Sequence, residues 1–185
     1  MGYEPVRPKH VQKYLTAEEL HRNMTSPLFS CFTGIPYGDM RLLTKDNLCL
    51  AEDGIWWIKS ARQKTKIEFE IPLLDLPLQI LKKYSGTAPG DKLLPMYCNS
   101  TLNLYLKEIA RICHIDRPLV FHAGRHTYAT EITLSHGVPL ETVSRMLGHS
   151  QIETTQIYAK VTDEKIDADT KALNRKISER FSVVI

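Results

Sequence analysis

Between Leu48 and Leu74 the chain changes period, and this constrains its fold more than any other feature. Ile67-Glu68-Phe69-Glu70-Ile71 alternates apolar and polar residues, the period of a strand with one buried face. Ile55-Trp56-Trp57-Ile58, entered through a turn at Asp53-Gly54, reads as a second strand. The turn near Lys64 joins the two, and Pro72 ends the sheet because it donates no ladder hydrogen bond. On both sides of this stretch the apolar spacing is helical.

Thr16-Ala17-Glu18-Glu19 is a capping box and opens a helix to about Met24; Ser26-Pro27 begins a second, apolar helix that stops near Thr33-Gly34. Further helices are predicted over 37–43, 77–84, 103–113, 122–135, 140–147, 153–159 and 162–180, with Thr44-Lys45-Asp46 as a turn. Gly137 and Gly148 act as stops. The expected fold class is mainly α with one small antiparallel sheet. The 185 residues fit one such domain with a sizeable core.

The sequence begins Met1-Gly2-Tyr3-Glu4-Pro5, which is no apolar signal segment, so a cytoplasmic protein without a membrane span is expected. Cys31, Cys49, Cys98 and Cys113 form no C-x-x-C pair and read as reduced thiols. Net charge is +3, which permits a nucleic-acid partner on one basic face.

Three short stretches are polar and reactive where core packing does not require it. In Phe121-His122-Ala123-Gly124-Arg125-His126-Thr127, His122 and Arg125 are three apart and share a helical face. Met146-Leu147-Gly148-His149-Ser150 follows, and then Thr154-Thr155-Gln156-Ile157-Tyr158. His122 and His126 also have a zinc-compatible spacing, but no glutamate lies between them and no third ligand is evident.

His122-x-x-Arg125, Leu147-Gly148-His149 and Tyr158 in that order resemble the C-terminal signature of the tyrosine recombinase, or phage integrase, family. Thr33-Gly34-Ile35, Asp39 and Leu43-Thr44 resemble the family's Thr-Gly-Leu box. Arg62-Gln63-Lys64-Thr65 resembles its hairpin lysine segment. The resemblance implies the family's helical catalytic domain, acting on double-stranded DNA without cofactor or metal. It implies that Tyr158 attacks a phosphodiester, forms a 3′-phosphotyrosine and releases a 5′-hydroxyl. Arg125 grips the nonbridging oxygens, as its planar fork allows, and His149 donates a further hydrogen bond. The resemblance further implies that Lys64 protonates the leaving oxygen and that His122 helps take the tyrosine proton.

One position departs from the pattern. The family box continues with an arginine, where this chain has Pro36, and a lost preorganised donor costs roughly a hundredfold to a thousandfold in rate. Arg62 is the best substitute, because two residues before Lys64 on a strand it would share that side chain's face; Arg41 is the second choice. Asp39 either pairs locally or orients a neighbouring cation. Trp56 and Trp57 read as sheet packing.

Given a DNA substrate, Lys45, Lys59, Lys66, Arg145 and Lys160 are candidate phosphate contacts. Residues 1–15 read as a linker, 16–161 as the catalytic domain, and 162–185 as a helix and apolar tail that docks on a neighbouring protomer of a tetramer or packs in cis. An N-terminal DNA-binding domain is expected to be missing. The motif style points to the integrase or transposase of a mobile element. Two alternatives stand beside it: a DNA-binding protein of the same fold with impaired catalysis, and a type IB topoisomerase.

Overall fold

The structure is a computed structural model that describes the backbone of residues 17–159 and 163–178. The expected leader over 1–15, the Thr16 cap, Lys160 and the apolar tail over 181–185 lie outside the described residues.

Where two helices are predicted at the start, one long helix is found, α1 (Ala17–Thr33), with Pro27 inside it. An interior proline removes one helical hydrogen bond and costs about 3 kcal/mol. Packing outweighs that cost: Thr25, Ser26, Phe29 and Ser30 are all buried, and the Thr25 hydroxyl donates to Tyr84 Oη at 2.8 Å. The end of α1 is tied down by its own side chains. Thr33 Oγ1 donates to the Phe29 carbonyl (2.8 Å) and Ser30 Oγ to that of Ile35 (2.9 Å).

Next come α2 (Tyr37–Met40), one turn shorter than predicted, and a 3-10 turn over Lys45–Asn47 in place of the simple turn. Three strands follow, β1 (Leu48–Leu50), β2 (Trp56–Ala61) and β3 (Glu68–Pro72), in an antiparallel sheet of order β1-β2-β3. Ile58 pairs with Ile71 and Ser60 with Phe69. The period-two reading of β3 holds: Phe69 and Ile71 are buried, and Glu68 and Glu70 are exposed. Each buried apolar side chain contributes about 1.5–3 kcal/mol, so this alternation fixes which face of the sheet meets the helices.

The helical remainder is α3 (Asp75–Tyr84), α4 (Asn99–Ile112), α5 (Ala123–Thr127), α6 (Leu140–Leu147), α7 (Glu153–Gln156) and α8 (Asp163–Ser178). α4 starts four residues earlier than predicted, with Cys98 at its N-cap, and α7 ends three earlier. The single helix predicted over 122–135 is divided. After α5 the chain widens into a π turn (Tyr128–Thr133) and tightens into a 3-10 turn (Leu134–His136) before Gly137 at φ 80°. Thr133 Oγ1 donates to the carbonyls of both Ala129 (2.8 Å) and Tyr128 (3.0 Å). Such a hydroxyl competes for backbone acceptors and perturbs the helical ladder.

α1, α5 and the π turn pack together, and α6 packs on β3. Phe29, Ile35, Met40, Leu43, Ile58, Val143 and Leu147 fill the space between them. The described helices include none long and apolar enough to cross a membrane.

Gly34 is the tightest point of this packing. Its φ is 69°, and a Cβ there would lie 2.5 Å from a Tyr128 ring carbon and 2.7 Å from Leu147 Cδ2. A side chain in this conformation costs about 1–3 kcal/mol in strain alone, and overpacking adds a comparable amount. Gly34→Ala is therefore expected to lower unfolding stability by at least about 2 kcal/mol, measured by urea denaturation; unchanged stability would refute the packing argument.

Candidate active site

The end of α6 makes an acceptor. Gly148, at φ 65°, caps the helix, and the Gly148 and His149 amides turn back to the carbonyls of Arg145 and Ser144. Leu147 O stays available at the negative end of the helix. Arg125 comes to it from α5 and donates from Nη2 at 2.7 Å. Its Nη1 donates to Gly34 O at 2.8 Å, and Nη2 also meets His149 Nε2 at 2.8 Å. Arg125 is 3% exposed. Burial pushes its pKa down to about 10, the charge of Arg62 adds to that, and the Tyr158 hydroxyl and Asp39 oppose it; it stays a cation at neutral pH.

Arg62 reaches the same carbonyl from the other side, Nη1 to Leu147 O at 3.4 Å. Its Nε lies 3.0 Å from Asp39 Oδ2. That approach is an ion pair rather than an aligned hydrogen bond, since neither atom meets hydrogen-bond geometry. Asp39 is 6% exposed, and its Oδ1 accepts the Gln63 amide at 2.9 Å. One carboxylate thus holds both Arg62 and the base of the β2–β3 turn. Gly148 leaves the space Arg62 needs: a Cβ there would lie 2.8 Å from Arg62 Cγ.

The strand-parity argument for Arg62 and Lys64 does not hold. β2 ends at Ala61, so both residues lie in the turn. Arg62 is half-buried and Lys64 is exposed. Asp39, not strand geometry, brings Arg62 inward. Arg41 is exposed at the end of α2, outside the cluster. Lys45, Lys59, Lys66 and Arg145 are exposed as well, with Lys59 paired to Glu70 at 3.1 Å. Trp56 is partly open on β2, and Trp57 is half-buried.

Tyr158, 7% exposed, lies against two imidazoles. Its ring stacks near-parallel to that of His149 at 6.5 Å and takes His126 edge-on at 4.7 Å. His126 in turn meets His122 edge-on at 5.7 Å. His122 is the N-cap of α5, on a segment held by the Phe121 amide, which donates to Asn103 Oδ1 at 2.8 Å. Burial lowers the pKa of His122, with His126, Arg125 and Arg62 adding to it. Burial, then Arg125 and Arg62, push His149 down to about 4. His149 Nδ1 lies 2.7 Å from Thr155 Oγ1. No group of three metal-ligating side chains occurs among the described residues.

Tyr158, Arg125, His149, His122 and Arg62 are therefore gathered at one place, and Lys64 is exposed on the turn that follows Arg62. Sequence reasoning missed three parts. Gly34 O and Leu147 O are backbone groups with no residue signature. Thr155 is one of two adjacent threonines, and nothing in the sequence distinguishes it.

The phage integrase family model matches residues 9–165. The chain is 30% identical over 158 residues to a tyrosine recombinase XerD of Pseudomonas putida, covering 78% of this chain and 51% of that protein. It is 29% identical over 176 residues to a tyrosine recombinase of Pseudothermotoga lettingae, covering 90% and 59%. The chain thus spans about half the length of these curated relatives. Among solved structures, the Tn1549 transposon integrase in complex with a circular intermediate DNA matches with TM-score 0.66 and 16% identity, over 93% of this chain and 66% of that one. The XerH site-specific recombinase bound to its difH substrate matches with TM-score 0.64 and 18% identity, over 83% and 46%.

The lowered histidine pKa values have a consequence for stability. Between the ordinary value near 6.5 and about 4, the unfolded chain binds a proton at residue 149 that the folded chain does not. Stability therefore falls as pH falls through that window. His149→Gln removes this contribution, so its unfolding free energy is expected to drop less between pH 7 and pH 4 than that of the parent chain. Urea titrations across that range check it; parallel curves would show that His149 does not titrate low.

Proposed function

The chain belongs to the phage integrase family, and on that premise we propose that it cleaves and rejoins double-stranded DNA at specific sites with Tyr158 as nucleophile. The observation that carries the reading is the convergence of Arg125 and Arg62 on Leu147 O beside Tyr158. Two guanidinia held close together by the fold repel each other, and an anion placed between them relieves that repulsion.

In this reading the two arginines and His149 bind the nonbridging oxygens of a phosphodiester. The Tyr158 oxygen bonds to phosphorus, the bond to the 5′ oxygen breaks, the tyrosine proton passes to His122, and Lys64 gives a proton to the leaving oxygen. The low pKa of His122 keeps it neutral near pH 7 and able to accept a proton. The reverse steps rejoin the strand without an energy cofactor, because the phosphotyrosine keeps the ester bond. Lys64 stands on an exposed turn, where closure onto DNA is needed to bring it to the phosphate.

Arg62 takes the place of the family arginine that Pro36 has displaced. Pro36 is the N-cap of α2, and Asp39 in the first turn of α2 holds Arg62, so the segment that lost one cation positions the other. Lys45, Lys59, Lys66 and Arg145 contact the flanking backbone. α8 supports an oligomer on DNA, with tetramers as the working assembly. Ile166, Leu173 and Ile177 recur at helical spacing on it and are all exposed, an apolar stripe suited to a neighbouring protomer. We further propose a cytoplasmic protein of mobile-element origin that works with an additional N-terminal DNA-binding domain.

The test is covalent capture on a suicide duplex built from DNA flanking the gene. The parent chain is expected to form an adduct that Tyr158→Phe loses completely. Arg62→Ala is expected to slow adduct formation roughly a hundredfold to a thousandfold, and Arg41→Ala to leave it near the parent rate. Full activity in Arg62→Ala would sink the substitution argument. Tight binding with no adduct from the parent chain would favour a non-catalytic DNA-binding role.

A further inference from the structure

The chemistry above leaves one contact of the site unexplained. Thr155 has no exposed surface, and its hydroxyl lies 2.7 Å from His149 Nδ1. On the other side of the ring, Nε2 lies 2.8 Å from Arg125 Nη2. A guanidinium has donors only, so Nε2 must present its lone pair to it. The neutral ring then carries its proton on Nδ1, and Thr155 Oγ1 accepts it.

A phosphate presents the opposite demand. Its nonbridging oxygens only accept, so an imidazole that binds one must carry its proton on Nε2. Nδ1 is then bare and, being partly buried, calls for a donor. A hydroxyl meets both cases, because it accepts in one rotamer and donates in another. A carboxylate at this position would accept only, and an apolar side chain would do neither.

We propose that Thr155 is a positioning residue that lets His149 exchange tautomers. Its hydroxyl accepts from Nδ1–H while Nε2 faces Arg125, and donates to Nδ1 once Nε2–H faces a phosphate oxygen. One proton leaves Nδ1 and one is taken up at Nε2, both through solvent at this half-buried ring, so the charge of the site is unchanged. The Thr155 carbonyl also accepts the Tyr158 amide at 3.0 Å. The residue that steers the imidazole therefore belongs to the same turn as the nucleophile. The inference rests on the proposed phosphodiester substrate, and its test separates the two.

Nitrogen-15 NMR of the His149 ring reads the tautomer directly. In the free chain near neutral pH the proton is expected on Nδ1. In the Tyr158→Phe background bound to duplex DNA it is expected on Nε2 alone. Protonation of Nε2 in the free chain, or a proton still on Nδ1 in the DNA complex, overturns the proposal. Thr155→Ser is expected to keep both signatures and to form adduct within a few-fold of the parent rate. Thr155→Val is expected to lose the Nδ1 preference and to slow adduct formation about tenfold, the rate equivalent of one hydrogen bond, with duplex binding unchanged. Adduct formation at the parent rate in a folded Thr155→Val chain also overturns it. If that variant does not fold, the tautomers of the parent and Thr155→Ser chains decide. A parent chain that forms no adduct defeats the catalytic reading, while the ring measurements still decide the role of Thr155.

Discussion

Arg125 is a full positive charge with almost no access to water, and much of the surrounding structure exists to answer its donors. Removing one hydrogen-bond partner leaves a buried donor unsatisfied, at about 1–3 kcal/mol and more for a charged group. Here the partners are two main-chain carbonyls and an imidazole. Each imposes a local condition. Gly34 O faces the guanidinium only because residue 34 adopts a left-handed conformation against the Tyr128 ring. Leu147 O is available only because Gly148 ends α6 there. His149 is at hand because the chain turns back immediately after that cap. The packing of α1, α5 and α6 and the electrostatics of the site are one problem with one solution.

The second cation makes the problem harder. Arg62 shares an acceptor with Arg125, and like charges this close raise the free energy of the folded chain. Asp39 offsets part of the repulsion from a position 6% exposed. It also fixes the turn that carries Lys64, through the Gln63 amide. The net excess of positive charge that remains suits an anionic ligand. Burial is the larger cause, and this charge adds to it, in depressing the pKa values of His122 and His149, so neither ring adds a charge to the site near pH 7.

Much of this was legible in the residue order. The alternation over Ile67–Ile71 placed the sheet, the helical spacing over Leu140–Leu147 gave that helix its bounds, and the motifs around His122, Arg125, His149 and Tyr158 singled out side chains that the fold gathers. Local patterns failed where a distant contact overrode them. Pro27 reads as a helix start, yet burial of its neighbours carries α1 through it. Residues 122–135 read as one helix, yet a π turn follows α5 where the chain packs against α1.

By itself, then, the sequence determined the family, the helical and strand periods and the identity of the titratable side chains, because those depend on near neighbours and on residue chemistry. The tertiary structure decided which backbone carbonyls answer Arg125, that Asp39 and not strand parity turns Arg62 inward, and that Thr155 rather than Thr154 meets His149. Each is a contact between segments far apart in the chain or turned by a cap. Hydrogen-bond partners of that kind are selected by distance and direction in space, which residue order alone does not encode locally.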